Sequence, residues 1–170
     1  VNGEHVYNYY SGFLDWKVDG SKDIRVKEQS DDDLGHIPPW LVMTTDNADN
    51  CLLDIELSDC LAQYANQDGT PFIKWANVDG TLKLLDTHKL HYILMPIQHI
   101  VIDFDIKDPE TGEKSEELNL QAAAKWPSTY AEFSKSGKGI HLHYIDDGDV
   151  SLLNPLYSDG IEIKVFTGNS

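Results

Sequence analysis

Three segments in the second half of the chain alternate between apolar and polar residues. They read IVIDFDI at residues 100–106, GIHLHY at residues 139–144 and GIEIKVF at residues 160–166. Successive side chains of a β-strand point to opposite faces of its sheet, so each segment predicts a strand with one apolar and one polar face. The apolar faces must be covered, which favours a fold in which a sheet packs against helices.

One strong helix signal lies between the first two of these segments. In SEELNLQAAAKW, Ser115 is a suitable N-cap, Glu116 and Glu117 suit the positive end of the helix dipole, and Pro127 ends the pattern. A β-rich run, HYILMPI, precedes the first segment, and DPETGEK is rich in turn residues. The order strand, helix, strand, strand from residue 91 onward predicts an α+β fold.

The first half of the chain gives weaker signals. Ser58 as an N-cap and Asp68-Gly69 as a stop predict a short helix in SDCLAQYANQDG. Asp79-Gly80, between PFIKWANV and LKLL, predicts a β-hairpin. The aromatic segment YNYYSGFLDWKV is compatible with either helix or strand.

The polar faces of the three alternating strands carry the residues of most chemical interest. Carboxylates that lie close together repel unless a cation lies among them. Hard oxygen ligands favour Mg²⁺ or Mn²⁺ over zinc, and two such ions can assist phosphoryl transfer. An isolated acidic pair or histidine pair on a strand is commonly a solvated face, but three such strands together favour a metal site. The shared polar face gathers three carboxylates, two imidazoles and one ammonium group: Asp103, Asp105, Glu162, His141, His143 and Lys164.

A turn rich in serine and glycine, SKSGKG at residues 134–139, leads directly into the histidine strand. Glycines let a backbone curl closely around a ligand, and successive N–H groups in such a turn can bind an anion. Ser134, Ser136 and Lys138 add side-chain donors, so the turn predicts a triphosphate site that includes Gly137 and Gly139. Its spacing does not match the P-loop motif. An ordinary hairpin connection is the alternative interpretation.

The charge and the cysteine content exclude several classes of function. The net charge of −16, with 29 acidic and 13 basic residues, repels nucleic acid at long range, so any DNA contact must use a local patch, bound metal or another domain. Two cysteines, Cys51 and Cys60, make neither a disulfide framework nor a zinc site, and they suggest a reducing cytoplasm. His88 and His91 lack a cysteine pair that could complete a zinc site.

Taken together, the motifs resemble those of the archaeo-eukaryotic primase superfamily, most closely the primase–polymerase domain of bacteriophage and prophage replication proteins. The resemblance covers residues 99–168. It matches the acidic pair at Asp103 and Asp105, the serine–glycine turn from Ser136 to His141, and the final acidic motif at Glu162.

The resemblance implies a primase fold, with a mixed β-sheet and an RRM-like core packed by helices on one side. It implies one catalytic domain over residues 1–170, with an N-terminal lobe at 1–95 and a core at 96–170. A chain that opens on Val1 and stops at Ser170 suggests a piece of a longer replication protein, whose continuation would include a helicase module. A bacterial host cytoplasm is the implied location, and no membrane span is predicted.

The implied activity is that of a DNA primase and DNA polymerase, a nucleotidyltransferase. Two Mg²⁺ or Mn²⁺ ions would be held by Asp103, Asp105 and Glu162, and His141 would serve the catalytic step. The nucleoside triphosphate, ribo- or deoxyribo-, would be held by the turn and nearby side chains: Ser136, Gly137, Lys138, Gly139, His141 and Lys164. Single-stranded DNA would be the template, bound weakly by this acidic chain.

Three other functions compete with this interpretation. Glu162 and Lys164, preceded by Asp147 or Asp149, resemble the D…E-x-K pattern of metal-dependent nucleases, which is short and leaves the acidic pair and the turn unexplained. A binding module with an RNA-recognition-like sheet would present exposed aromatic residues rather than acids. A catalytically inactive adaptor of the primase fold is the third alternative, because a fold does not fix a function.

Overall fold

The computed structural model describes residues 4–8, 12–18, 24–25, 37–41 and 55–166. The chain divides into two compact units, one formed by Val1–Thr45 with Gln98–Val165 and the other by Asp46–Ile97 with Phe166–Ser170. The described strands before residue 45 thus group with the strands that follow residue 98, and the predicted lobe at 1–95 and core at 96–170 stay a prediction.

The described residues form an α+β structure with antiparallel sheets and the α-helix α1 at Glu116–Ala123; residues 55 and 56 are also helical. The strands, in chain order, are β1 (Glu4–Asn8), β2 (Gly12–Val18), β3 (Ile24–Arg25), β4 (Ala62–Tyr64), β5 (His91–Ile93), β6 (His99–Phe104), β7 (Tyr130–Phe133), β8 (Ile140–Asp146), β9 (Leu156–Ser158) and β10 (Ile161–Val165). The segment YNYYSGFLDWKV, compatible with helix or strand by sequence, contains the end of β1 and all of β2; its residues 9–11 lie outside the described residues.

The first unit contains an eight-stranded sheet in the order β3-β2-β1-β8-β6-β10-β9, with β7 paired to β8 beside this path. The predicted mixed sheet is wrong for the described strands, because each of their pairings is antiparallel. The sheet is antiparallel at this point because of β7, a strand that was not predicted from the sequence. The helix α1 connects β6 to β7, these two strands run in the same direction, and β8 lies antiparallel between them.

The apolar face predicted for the three alternating segments is confirmed. The apolar side chains that share this face are buried, except for Val165, which is partly buried. The buried ones are Ile100, Ile102 and Phe104 of β6, Ile140, Leu142 and Tyr144 of β8, and Ile161 and Ile163 of β10. They form one hydrophobic core together with Leu41, Ala123, Ala124 and Trp126. Burial of a large aliphatic side chain contributes about 1.5–3 kcal/mol, so this face is what fixes the orientation of the sheet.

The helix α1 forms where the sequence predicts it. Ser115 caps it, since its Oγ accepts a hydrogen bond from the N–H of Leu118 at 3.2 Å, and Glu116 and Glu117 occupy the first turn. The helix ends before Pro127, as expected. The next turn buries Trp126, whose ring centroid lies 5.8 Å from that of Phe104 and 4.8 Å from that of Tyr157.

The predicted short helix from Ser58 to Gly69 is wrong. None of residues 58–69 has helical conformation, and the segment contains β4, which pairs with β5 with Ala62 opposite Ile93. The pairing buries Ala62 against Leu57 and Leu82 in a small cluster of the second unit. Tertiary contacts override the local helix propensity of this segment.

The predicted hairpin at Asp79-Gly80 is also wrong. These residues lie between two 3₁₀-helices, Trp75–Asn77 and Leu82–Leu84, instead of between two strands. The carbonyl of Gly80 accepts a hydrogen bond from the N–H of Ala62 at 3.0 Å. The dipeptide therefore serves as a connection that pairs with the start of β4.

Candidate active site

The register of the sheet places four polar residues in one row across four strands. Glu132 of β7 is opposite His141 of β8, His141 is opposite Asp103 of β6, and Asp103 is opposite Glu162 of β10. Directly opposite residues of an antiparallel pair lie close enough for their side chains to interact. The structure thus brings together Asp103, His141 and Glu162, which were selected from the sequence, and adds Glu132, which was not.

Asp103 is the centre of the row, and both of its carboxylate oxygens have a cationic neighbour. His141 Nε2 lies 3.3 Å from Oδ1, and Lys164 Nζ lies 3.0 Å from Oδ2. The Asp103 side chain is only 16% exposed. The hydrogen bond from His141 and, against the effect of burial, the one from Lys164 lower the pKa of Asp103 to about 2.

His141 lies between two carboxylates. Its Nδ1 is 3.5 Å from Glu132 Oε1, while its Nε2 faces Asp103. Hydrogen bonding to Asp103 first and to Glu132 second raises the pKa of His141 to about 9, although burial opposes the shift. The imidazole is therefore cationic at neutral pH.

A buried histidine pair extends the network from Glu132. Its Oε1 lies 2.8 Å from His143 Nε2, and His143 Nδ1 lies 2.8 Å from His99 Nε2. The two histidines are 5% and 1% exposed. Burial alone would raise the pKa of Glu132, but the hydrogen bonds from His141 and His143 outweigh it and lower that pKa to about 2. His143 is thus part of a buried hydrogen-bonded network beside the row, where the sequence suggested a second open site residue.

Asp105 lies just beyond the end of β6 and is not part of the row. Lys114 Nζ is 2.8 Å from Asp105 Oδ1. The backbone N–H of Asp105 donates to the carbonyl of Gly160 at 2.7 Å. Glu162 is exposed. Within the part of the chain that the structure describes, no three His, Cys, Asp or Glu side chains form a group arranged to hold a metal ion.

The serine–glycine turn is closed by its own hydrogen bonds. Ser134 Oγ accepts from the N–H of Gly139 at 3.1 Å and lies 3.0 Å from Ser136 Oγ. Gly137 has a φ of +76°, which favours glycine, and its N–H donates to the carbonyl of Ser134. The backbone N–H groups of Ser134, Gly137, Lys138 and Gly139 are all used within the turn. The exposed side chains of Lys135, Ser136 and Lys138 are therefore the groups that can reach a ligand.

Glycine is required at position 139 for a different reason. A Cβ at Gly139 would lie 2.7 Å from Ser134 Oγ and 3.0 Å from the carbonyl oxygen of Phe104. The turn therefore lies directly against the end of β6, where the acidic pair is located. This close approach places the turn beside Asp105 and at the start of the strand that carries His141.

Asn119 of α1 joins the turn to the acidic strand. Its side chain is fully buried; Oδ1 accepts from the N–H of Ile106 at 2.8 Å, and Nδ2 donates to the carbonyl of Lys138 at 2.9 Å. This residue was not predicted from the sequence. The available signal was an asparagine between two leucines of the helix, Leu118 and Leu120, since a buried amide needs specific partners.

Comparisons with models of protein families, with curated proteins and with solved structures found no match. The resemblance to the primase superfamily therefore stays a prediction that rests on the three motifs. Among the described residues, no helix is both long enough and apolar enough to span a membrane. Cys60 is a free thiol in the described part of the chain, and Cys51 lies outside it.

The network predicts a maximum of stability near pH 6.5 for the metal-free protein. The pKa of His141 is raised from 6.5 to about 9, so its contribution is complete below pH 6.5 and is lost as the pH rises through 9. Burial lowers the pKa of His99 from 6.5 to about 3, so stability is lost as the pH falls below 6.5. Thermal unfolding in EDTA between pH 4 and pH 9.5 measures both effects, as shifts of a few degrees.

Two variants separate the acidic and alkaline limbs of the stability–pH profile. His141→Gln should flatten the alkaline limb and leave the acidic limb in place, whereas the control His88→Gln, at an exposed histidine of the second unit, should leave both. An alkaline limb that persists in His141→Gln would show that another group causes it.

Proposed function

We propose that this chain is the catalytic domain of a phage- or prophage-type DNA primase–polymerase, which transfers nucleotides from NTP or dNTP to a 3′-hydroxyl or an initiating nucleotide. One observation carries the proposal. Asp103 lies directly between Glu162 and His141 on the polar face of an antiparallel sheet, and the serine–glycine turn leads into His141. The order of these groups along the chain is that of the three primase motifs.

The chemistry of the acidic side chains suits divalent cations. Asp103 offers two anionic oxygens in a fixed, largely buried position, and each oxygen already faces a cationic nitrogen, from His141 or from Lys164. Glu162 of β10 lies opposite Asp103 of β6, and Asp105 follows Asp103 by two residues along the chain. Such hard oxygen donors match Mg²⁺ or Mn²⁺. When bound, these ions would activate the attacking hydroxyl and neutralise the charge of the triphosphate.

The protein's own side chains bind and orient the nucleotide. The cationic His141 supplies positive charge to the triphosphate. Its Nε2 faces Asp103 and its Nδ1 faces Glu132, so one of these N–H groups exchanges its carboxylate for a phosphate oxygen when the nucleotide binds. Lys164 and Lys138 supply positive charge, and Ser136 supplies a neutral donor. Asn119 holds the turn against the acidic strand, so that the phosphate-binding side chains keep a constant distance from the carboxylates.

The competing functions have less support. The nuclease interpretation needs Asp147 or Asp149 near Glu162, but those residues follow the far end of β8, about six residues or roughly 20 Å from the row. Asp149 also caps a 3₁₀-helix, since it accepts from the N–H of Ser151 at 3.1 Å. A base-stacking sheet is disfavoured because acidic and histidine side chains occupy the centre of the polar face.

The direct test is nucleotide incorporation by the purified chain with Mn²⁺ or Mg²⁺. Reactions on a single-stranded template, with and without a primer, should be run separately with ribo- and deoxyribonucleotides. Metal-dependent product in any of these reactions supports the proposal. Tight metal and nucleotide binding without product in every reaction would instead support an inactive adaptor. DNA binding is expected to be weak at physiological salt because of the acidic charge, with a helicase module of the full protein as the proposed partner.

Replacement of His141 by alanine should weaken nucleotide binding by roughly tenfold to a few hundredfold, because a hydrogen bond to a charged group contributes about 1.5–3 kcal/mol. Ser136→Ala should have a smaller effect, since its hydroxyl is a neutral donor. His143→Ala should lower the melting temperature more than the affinity, because His143 is buried between Glu132 and His99. Calorimetry in saturating Mn²⁺ measures the affinities.

The controls for this series are the melting temperatures of the same three variants. A crippling loss of affinity in His143→Ala combined with a silent His141→Ala would mean that His143 is the phosphate-binding residue. If all three variants bind the nucleotide normally, the turn is only a hairpin connection, and the primase interpretation loses its main support.

A further inference from the structure

Two lysines pair with the two acidic residues that the proposed function assigns to metal binding. Lys164 Nζ lies 3.0 Å from Asp103 Oδ2, and Lys114 Nζ lies 2.8 Å from Asp105 Oδ1. They come from different elements: Lys164 is in β10, whereas Lys114 belongs to an isolated bridge with Lys107 in the loop after β6. Each acid of the pair thus has its own ammonium group.

A divalent cation and these ammonium groups cannot share the same oxygens. The two cations would repel one another over a few ångströms, and each carboxylate oxygen offers its best position to only one of them. Entry of a metal ion at Oδ2 of Asp103 or at Oδ1 of Asp105 therefore requires the lysine to leave that oxygen. This competition is local, because it concerns the contact atoms and not the overall charge of the chain.

Asp103 and Lys164, which form an ion pair, differ in their freedom to move. The Asp103 side chain is 16% exposed and also faces His141, whereas that of Lys164 is 54% exposed. A lysine has a flexible four-carbon stem and three donors that can be redirected. Lys164 can therefore turn away into solvent or toward a ligand while Asp103 stays in place.

We propose that Lys164 and Lys114 are exchangeable counter-ions of the metal site, which neutralise Asp103 and Asp105 in the metal-free protein and are released when a divalent cation binds. The released Lys164 then becomes available to the triphosphate, so that metal binding prepares nucleotide binding. This inference rests on the proposed function and deepens it. It assigns a role to Lys114, and it makes Lys164 a competitor of the metal ion as well as a nucleotide ligand.

The test measures Mn²⁺ affinity alone, without nucleotide, by electron paramagnetic resonance or calorimetry at one fixed pH. Lys164→Met should bind Mn²⁺ about three- to tenfold more tightly than the wild type, and Lys114→Met about twofold more tightly, in keeping with the small contribution of half-exposed ion pairs. The control is Lys83→Met. It removes the same charge and breaks a comparable ion pair, Lys83–Asp59 at 2.6 Å, in the second unit, and it should leave the affinity unchanged.

A second measurement gives the opposite sign for the same variant. In saturating Mn²⁺, Lys164→Met should bind nucleoside triphosphate roughly tenfold more weakly, because a charged donor is lost. If Lys164 had a purely structural role, its replacement would not strengthen the binding of Mn²⁺ and weaken the binding of the nucleotide. Circular dichroism of each variant establishes that it is folded.

The outcomes separate this inference from the proposed function. If the wild type binds Mn²⁺ and Lys164→Met binds it no more tightly, the counter-ion role is overturned and the proposed function is unaffected. A gain of equal size in Lys83→Met overturns it too, because the effect would then be one of net charge. Failure of the wild type to bind Mn²⁺, or equal binding by Asp103→Asn, removes the metal site itself and with it both proposals.

Discussion

Replacement of Asp103 by asparagine is expected to lower nucleotide incorporation by about 10³-fold while the protein stays folded. The amide keeps the shape of the side chain but removes the charge at the centre of the row, where Glu162, His141 and Lys164 meet. Metal ions in such sites supply several kcal/mol of charge stabilisation, and about 1.4 kcal/mol corresponds to a tenfold change in rate. Steady-state incorporation with saturating Mn²⁺ measures the loss.

The stability of this variant provides an independent check. By sequence alone, removing one of three repelling carboxylates should raise the melting temperature of the metal-free protein. The structure reverses that expectation, because Asp103 faces two cations, and its loss should lower the melting temperature. The matched control is Asp159→Asn at an exposed acid in the turn before β10. Synthesis at the wild-type rate by Asp103→Asn would rule out the assignment of this carboxylate.

Replacement of Trp126 by alanine is expected to lower the free energy of unfolding by about 3–5 kcal/mol, the usual cost of truncating a buried large aromatic residue. Trp126 is 2% exposed and contacts aromatic rings from three strands, those of Phe104, Tyr144 and Tyr157. It therefore joins the residues after α1 to the sheet that carries the site. Urea unfolding measures the loss, and the melting temperature should fall by roughly 10 °C.

A nearby exposed residue gives the control for this substitution. Leu156→Ala, on β9 at the edge of the sheet, should change the free energy of unfolding by less than about 0.5 kcal/mol because Leu156 is exposed. Equal losses in the two variants would mean that Trp126 is not at the centre of the core. Retained nucleotide affinity in folded Trp126→Ala would show that the core and the site can be perturbed separately.

Alternation made the central strands predictable, because the period of two is imposed directly by backbone geometry. It gave β6, β8 and β10 and the shared polar face of Asp103, His141 and Glu162 correctly. Ser115 likewise marked the start of α1, since a cap is a local interaction. Each of these features depends on residues that are neighbours in the sequence, and so the sequence alone contains the information.

The features that were missed depend on contacts between distant segments. Glu132 lies in β7, a short strand whose four residues are all half-buried and carry no clear alternation. Its proximity to His141 follows only from the register between β7 and β8. The structural role of Asn119 depends on its hydrogen bonds to the backbone of Ile106 and Lys138, which are thirteen and nineteen residues away in the sequence. The helix predicted from Ser58 failed for the same reason, since the distant β5 decides the conformation of β4.

The shared alternation of core and site also constrains how this sequence can change by insertion or deletion. Removing one residue from the middle of β6 would exchange the two faces of the rest of the strand, so Asp103 would enter the apolar layer while Phe104 would enter the polar row. The same deletion in the loop at residues 107–114 would leave both faces intact. Length variation among descendants of this chain should therefore concentrate in its loops, and the core and the polar row should be gained or lost together.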